Sequence, residues 1–186
     1  MKQFNNQLEL TMYWEGFKST AYRCPAGVIT IGYGMTSIDG KPVTEGMTCT
    51  QEQAMGWLEA ELFDLDVWVY GNITRSTKYC KENIHDALSD YAYNAGKNAF
   101  PTLLKKLKAG DTQGAILEFL DGIYVAKKPL LGLLLRRISE YNTFVNGTYI
   151  AWEKGDPISQ DLKNKLLAKN AKNQDAVNMI NQLKVK

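Results

Sequence analysis

The sequence is poor in the residues that would tie it to metals, membranes or an oxidising scaffold. It has a single histidine, His85, in a helical run beside Ile84 and Leu88. With no second histidine near it, a zinc site is not expected, nor any other metal or cofactor; a surface or half-buried helical histidine is. Cysteine is scarce and odd in number. Of Cys24, Cys49 and Cys80 at least one is unpaired within a monomer, which excludes a disulfide-built fold and leaves a single disulfide open. No apolar run approaches the length of a membrane-spanning helix. Met1 to Trp14 hold Lys2 but no apolar stretch long enough for a secretory signal. The expectation is a chain made in the cytoplasm, without membrane insertion, that reaches an outside target only when something releases it.

Charge is scarce as well, in the sense that it nearly cancels. The net charge is +2 and no clustered basic stripe stands out, so nucleic acid is not an expected partner. What is present is ordinary globular material. The 186 residues are 45% hydrophobic and 23% charged, enough to bury a sizeable core in one domain, or in two lobes sharing a core. There is no internal repeat and no low-complexity linker.

Along the chain the texture changes twice. Residues 3 to 16 place Leu8, Leu10, Met12 and Trp14 in an alternation that a strand would also allow. The length and the preceding polar run favour a helix. Residues 21 to 40 are punctuated by Pro25, Gly27, Gly32, Gly34 and Gly40 between short β-branched runs, the mark of hairpin strands with tight turns. From residue 50 the period becomes helical. Thr50 and Gln53 form a capping-box pattern ahead of Trp57, Leu58, Leu62 and Leu65. Further helices are expected at 82–94, 99–109, 112–121 and 132–145, the third of them after Asp111, a good N-cap. Residues 159–184, rich in Lys and Asn, read as one or two amphipathic helices on the outside of the fold.

Glu15 closes the first helix beside Trp14 and Phe17. An apolar setting disfavours an ionised carboxylate, as a general acid requires. Taken alone, a glutamate next to a glycine at a helix end is usually a solvated carboxylate. The surrounding string is more specific. Residues 14 to 36 read Trp-Glu-Gly-Phe-Lys-Ser-Thr-Ala-Tyr-Arg-Cys-Pro-Ala-Gly-Val-Ile-Thr-Ile-Gly-Tyr-Gly-Met-Thr. Glu15 is followed after eight residues by Cys24 and after five more by Thr30. This closely resembles the signature of phage-type lysozymes, glycoside hydrolase family 24, which carries Glu, Asp or Cys, and Thr at those spacings. Ala87 to Gly96 is similar to the family's central helix and following turn. Leu104 to Ala115, and Gly132-Leu133 with Arg136-Arg137, Glu140 and Phe144, match two further stretches. The likeness spans roughly residues 8 to 152, and the tail beyond has no counterpart.

The resemblance implies a mainly helical α+β lysozyme-like fold. A small β-hairpin lobe at about 18–48 and a larger helical lobe at about 50–158 would leave a cleft between them, with an extra helical tail at 159–186. It implies hydrolysis of the β-1,4 bond between N-acetylmuramic acid and N-acetylglucosamine in bacterial peptidoglycan. Glu15 would be the general acid and Thr30 would position the attacking water. Cys24 would be the third catalytic residue, acting as base, nucleophile or water holder. Asn94, on the turn after the central helix, and Arg136 would line the saccharide cleft. The chain would work as a monomer on the periplasmic face of the wall, with the tail free to dock a carrier or an inhibitor.

Two departures stand out. Cys24 occupies a place where many relatives have Asp, and a thiol near its ordinary pKa of about 8.5 is a poorer base. Met35 stands where the family commonly carries His, a change expected to affect stability and not chemistry. They also leave room for a lysozyme-shaped module that grips glycan without cutting it. A toxin domain delivered by a secretion system or a phage tail is a further reading. Cys49 and Cys80, flanking the long helix, would be isolated thiols, or one of them a redox latch paired with Cys24.

Overall fold

The computed structural model describes residues 1–24, 27–72, 81–99 and 101–186. The first helix is shorter than its periodicity suggested. Lys2–Phe4 form a strand, β1, and α1 runs only over Gln7–Glu15. Asn6 sets the boundary, its side chain accepting from the Glu9 amide at 2.9 Å. Gly16 ends the helix at φ 67°, its N–H returning to Met12 O at 3.1 Å, a backbone turn that a β-carbon would strain.

The glycine-rich stretch folds as two small antiparallel hairpins. In the first, β2 (Lys18–Arg23) pairs with β3 (Ile29–Gly32), Tyr22 opposite Thr30. In the second, β4 (Ser37–Ile38) meets β5 (Lys41–Pro42) around Asp39 and Gly40, both at positive φ, the two-residue turn that suits hairpin twist. Ile31, Met35 and Val43 make a small core beneath them.

The helical body follows as α2 (Gln51–Asn72), α3 (Glu82–Ala95), α4 (Pro101–Lys108), α5 (Thr112–Phe119) and α6 (Leu131–Asn146). The capping box forms, Thr50 N donating to Gln53 Oε1 at 2.9 Å and Gln53 N to Thr50 Oγ1 at 3.1 Å. Asp111 caps α5 by accepting from Gly114 N at 2.8 Å. Between α5 and α6 lies an unforeseen hairpin, β6 (Tyr124–Val125) and β7 (Lys128–Pro129). Its turn holds Ala126 and Lys127 at φ 48° and 67°, residues with no intrinsic preference for that conformation.

After α6 the chain returns to its start. β8 (Tyr149–Ala151) pairs antiparallel with β1, Lys2 opposite Ala151. The tail then forms α7 (Gln160–Lys169) and α8 (Gln174–Asn181). These helices are more than a polar outer layer. Leu162, Leu166, Ala176 and Ile180 are buried in one cluster with Leu134, Ile138 and Trp152. The reason lies in α6, whose first face packs on α3 and whose remaining leucines need a second cover. A larger cluster, built from α2 to α5 around Leu58, Leu88, Leu107 and Phe119, fills the rest of the body. Among the described residues no helix is long and apolar enough to cross a membrane.

Candidate active site

Glu15 stands at the last turn of α1, where three elements converge. Its neighbours are not what adjacency implied. Trp14 packs against the cluster that α6 shares with the tail and Phe17 against the larger one. The carboxylate instead meets a guanidinium: Arg136 Nη1 donates to Glu15 Oε1 at 2.5 Å. Arg136 is 4% exposed and the Glu15 side chain 19%, so the acid reaches solvent while its partner does not. The setting of the Glu15 carboxylate is therefore ionic, not apolar.

Arg136 is held from behind. Its Nη2 donates to Asp90 Oδ1 at 3.0 Å, and the same oxygen accepts from Thr11 Oγ1 at 2.7 Å. One turn along α6, Glu140 Oε1 lies 3.3 Å from Arg136 Nε and accepts from Arg137 Nη2 at 2.7 Å. Arg137 also donates to Asn94 Oδ1 at 2.8 Å and stacks with its guanidinium carbon 4.2 Å from the Tyr91 ring centre. Buried charges persist only when paired in this way. Burial works to raise Asp90, but the Arg136 charge and the Thr11 hydroxyl hold it below the ordinary carboxylate range. For Glu140 burial prevails, with neighbouring Asp90 adding to it against Arg137, and the group is pushed well above that range.

The hairpin turn closes the other side. A β-carbon on Gly34, where φ is 102°, would lie 3.5 Å from Glu15 Oε2 and 3.6 Å from the Tyr93 hydroxyl. Tyr93 donates to Tyr33 O at 2.7 Å and sits 3.3 Å from Met35 Sδ, so Met35 is a buried prop for the turn. Burial and the nearby Glu15 and Glu61 charges raise the Tyr93 phenol, which stays neutral. In front lies a cavity of about 460 Å³ whose lining includes Glu15, Gly34, Ser37, Glu61, Tyr93 and Asn94. A hollow of about 660 Å³ between α1, α2 and α3, around Phe63, Asp86 and Tyr149, is larger but holds none of the predicted site residues.

The five predicted residues are thus placed unequally. Glu15 and Asn94 line the cavity, and Arg136 lies directly behind Glu15. Asn94 is in the last turn of α3, not on the turn after it, because the helix continues to Ala95. Thr30 is buried on β3 with its hydroxyl donating to Val28 O at 3.2 Å, and Cys24 is half-buried at the end of β2; neither lines that cavity. Arg23 is taken up by Glu45 at 2.5 Å. No disulfide joins Cys24 to Cys49, whose thiol is pushed up by burial; Cys80 lies outside the described residues. His85 pairs with Asp66 at 3.0 Å, and no metal-binding cluster occurs among the described residues. Asp90, Arg137, Glu140 and Tyr93 were not singled out as site residues from the sequence. Charged residues embedded in the apolar run Leu133 to Ile138 were the available signal.

Comparison with known proteins identifies the family of the chain. A model of the phage lysozyme family matches residues 12–140. The endolysin of Acyrthosiphon pisum secondary endosymbiont phage 1 is 34% identical over 143 residues, 74% of this chain and 93% of that protein. The endolysin of Salmonella phage P22 is 35% identical over 136 residues, 71% and 90% of the two chains. A solved endolysin from Escherichia coli O157:H7 phage FAHEc1 superposes with a TM-score of 0.67 at 33% identity, covering 81% of this chain and 97% of the other. The chain belongs to the phage lysozyme family, enzymes that hydrolyse bacterial peptidoglycan.

Proposed function

We propose that this chain is an endolysin-type muramidase that cuts the β-1,4 bond between N-acetylmuramic acid and N-acetylglucosamine, with Glu15 as general acid. The observation that carries the reading is Glu15 in the lining of a cavity of about 460 Å³, held by buried Arg136. Protonating the leaving oxygen needs an acid fixed in place, and positioning is a large share of what such a site contributes. The motif spacing assigns the handling of the attacking water to Cys24 and Thr30, which lie on the β2–β3 hairpin outside the cavity lining. Asn94 offers the glycan its remaining polar edge from the cavity wall. The whole chain acts as one bilobed unit, with hairpins on one wall of the cleft and helices on the other. It is made in the host cytoplasm and meets the wall from the periplasmic side after release.

The test is turbidity clearing of purified peptidoglycan by the wild type and by Glu15→Gln, with mass spectrometry of the fragments. Wild type should release fragments with reducing muramic acid ends, and Glu15→Gln should lose at least 100-fold in rate. Anhydro-muramic ends would instead assign a transglycosylase. Folded protein that sediments with the wall and releases nothing would assign a binding module.

A further inference from the structure

Behind Glu15 are two acids with incomplete hydrogen bonding. Asp90 uses Oδ1 to accept from Thr11 and Arg136, and Glu140 uses Oε1 to accept from Arg137, with Arg136 Nε 3.3 Å away as an ion pair without a hydrogen bond. Their other oxygens, Asp90 Oδ2 and Glu140 Oε2, are buried and have no hydrogen-bond partner among the described residues. The two side chains are within hydrogen-bonding reach of each other. Two carboxylates can only accept, so both orphan oxygens stay unmet if both acids are ionised. A single proton between them satisfies both at once. It also balances the group electrically, since two guanidinium charges, Arg136 and Arg137, face three carboxyls, Glu15, Asp90 and Glu140.

We infer that Glu140 is kept protonated and donates to Asp90, leaving Asp90 as the full countercharge to Arg136 and so limiting the pull of that guanidinium on Glu15. The inference rests on reading Glu15 as the general acid. Such an acid must hold a proton, while a bare Arg136 at contact distance would favour losing it. Asp90 and Glu140 are then positioning residues that act through Arg136 and never touch the glycan. Burial and the neighbouring acid place the proton on Glu140, while Arg136 and Thr11 keep Asp90 charged. The groups facing the cluster come from each packed helix: Thr11 and Glu15 from α1, Glu61 from α2, Tyr91, Tyr93 and Asn94 from α3. Asp121 adds its charge near Tyr91.

The first test needs no lysis assay. Carboxyl-carbon NMR of glutamate-labelled wild type, with infrared spectra beside it, should show one glutamic acid still protonated at neutral pH, and Glu140→Gln should remove it. If every glutamate is ionised there, or if the surviving acid vanishes in Asp90→Asn but not in Glu140→Gln, the inference is overturned whatever Glu15 does. The second test is the basic limb of the pH–activity profile. Asp90→Asn removes the countercharge, so ionised Glu15 is favoured and the limb moves to lower pH by about one unit. Glu140→Gln replaces one neutral donor by another and should leave the limb in place, whatever happens to the rate. An equal shift in both variants would mean that Glu140 is charged in the native protein. Failure of the Glu15 assignment itself would appear elsewhere, as lysis by Glu15→Gln.

Discussion

Cys24 is the residue on which the proposed chemistry turns, because a thiol takes the place of a carboxylate. It sits at the end of β2, half-buried, its N–H donating to Val28 O at 2.9 Å. Cys24→Ser should cut the rate of peptidoglycan cleavage by about 100-fold or more, since a hydroxyl is a far weaker base or nucleophile. Cys24→Asp should keep much of the activity. A fully active Cys24→Ser variant would show that the sulfur has no chemical role. The local motif was legible because its spacing is set by a short hairpin. The charged partners were not, because Glu15 and Arg136 are brought together by tertiary packing alone. Adjacency even misled: Trp14 and Phe17 flank Glu15 in sequence, yet a residue at a helix end and its neighbours point in different directions.

Between elements, polar contacts decide how the helices are joined. Tyr149 on β8 donates to Asp86 on α3, and Gln7 of α1 donates to Asp86 O at 3.0 Å. Burial pushes Asp86 up to about 6 from an ordinary 3.8, the Tyr149 hydroxyl opposing and Glu82 and Asp66 adding to it. Because the folded value lies above the unfolded one, the protonated form favours folding. This contribution is complete below about pH 3.8 and is lost as pH rises through 6. Screening at a partly exposed group leaves roughly 1 kcal/mol of it. Urea midpoints at pH 4 and pH 7 should therefore fall more steeply for wild type than for Asp86→Asn, and parallel behaviour of the two would refute the linkage. The helices themselves were readable to within a few residues, since their caps lie in the local sequence, as Thr50 with Gln53 and Asp111 demonstrate. The pairing of β1 with β8 and the turn at Ala126-Lys127 were not. The first depends on residues far apart in the sequence, and the second on tertiary contacts overriding intrinsic turn preference.

For the molecule as a whole, the tail counts as core. Leu162, Leu166, Ala176 and Ile180 complete the cluster that α6 begins, and Asn170 stitches them in by donating to Leu120 O at 3.1 Å and accepting from Tyr124 at 2.6 Å. Burying three such large aliphatic side chains is worth roughly 5–9 kcal/mol, comparable to the net stability of a domain. A chain truncated after Trp152 should accordingly lose its near-ultraviolet dichroism and bind hydrophobic dyes. An unchanged melting temperature would relegate the tail to ornament. The sequence likeness stops near this point, which is why the tail could be patterned as helical but not assigned a face.

The pairing of β1 with β8, and of Glu15 with Arg136, also orders events in time. A ribosome making this protein releases the acid-bearing helix well before the arginine that fixes it. Until α6 has emerged, α1 has neither its countercharge nor its neighbouring strand, and non-local contacts of this kind form late. A nascent or interrupted chain thus carries every residue of the proposed catalytic trio without the means to hold its acid in place. The cell that translates the message meets a competent enzyme only once α6 has been read.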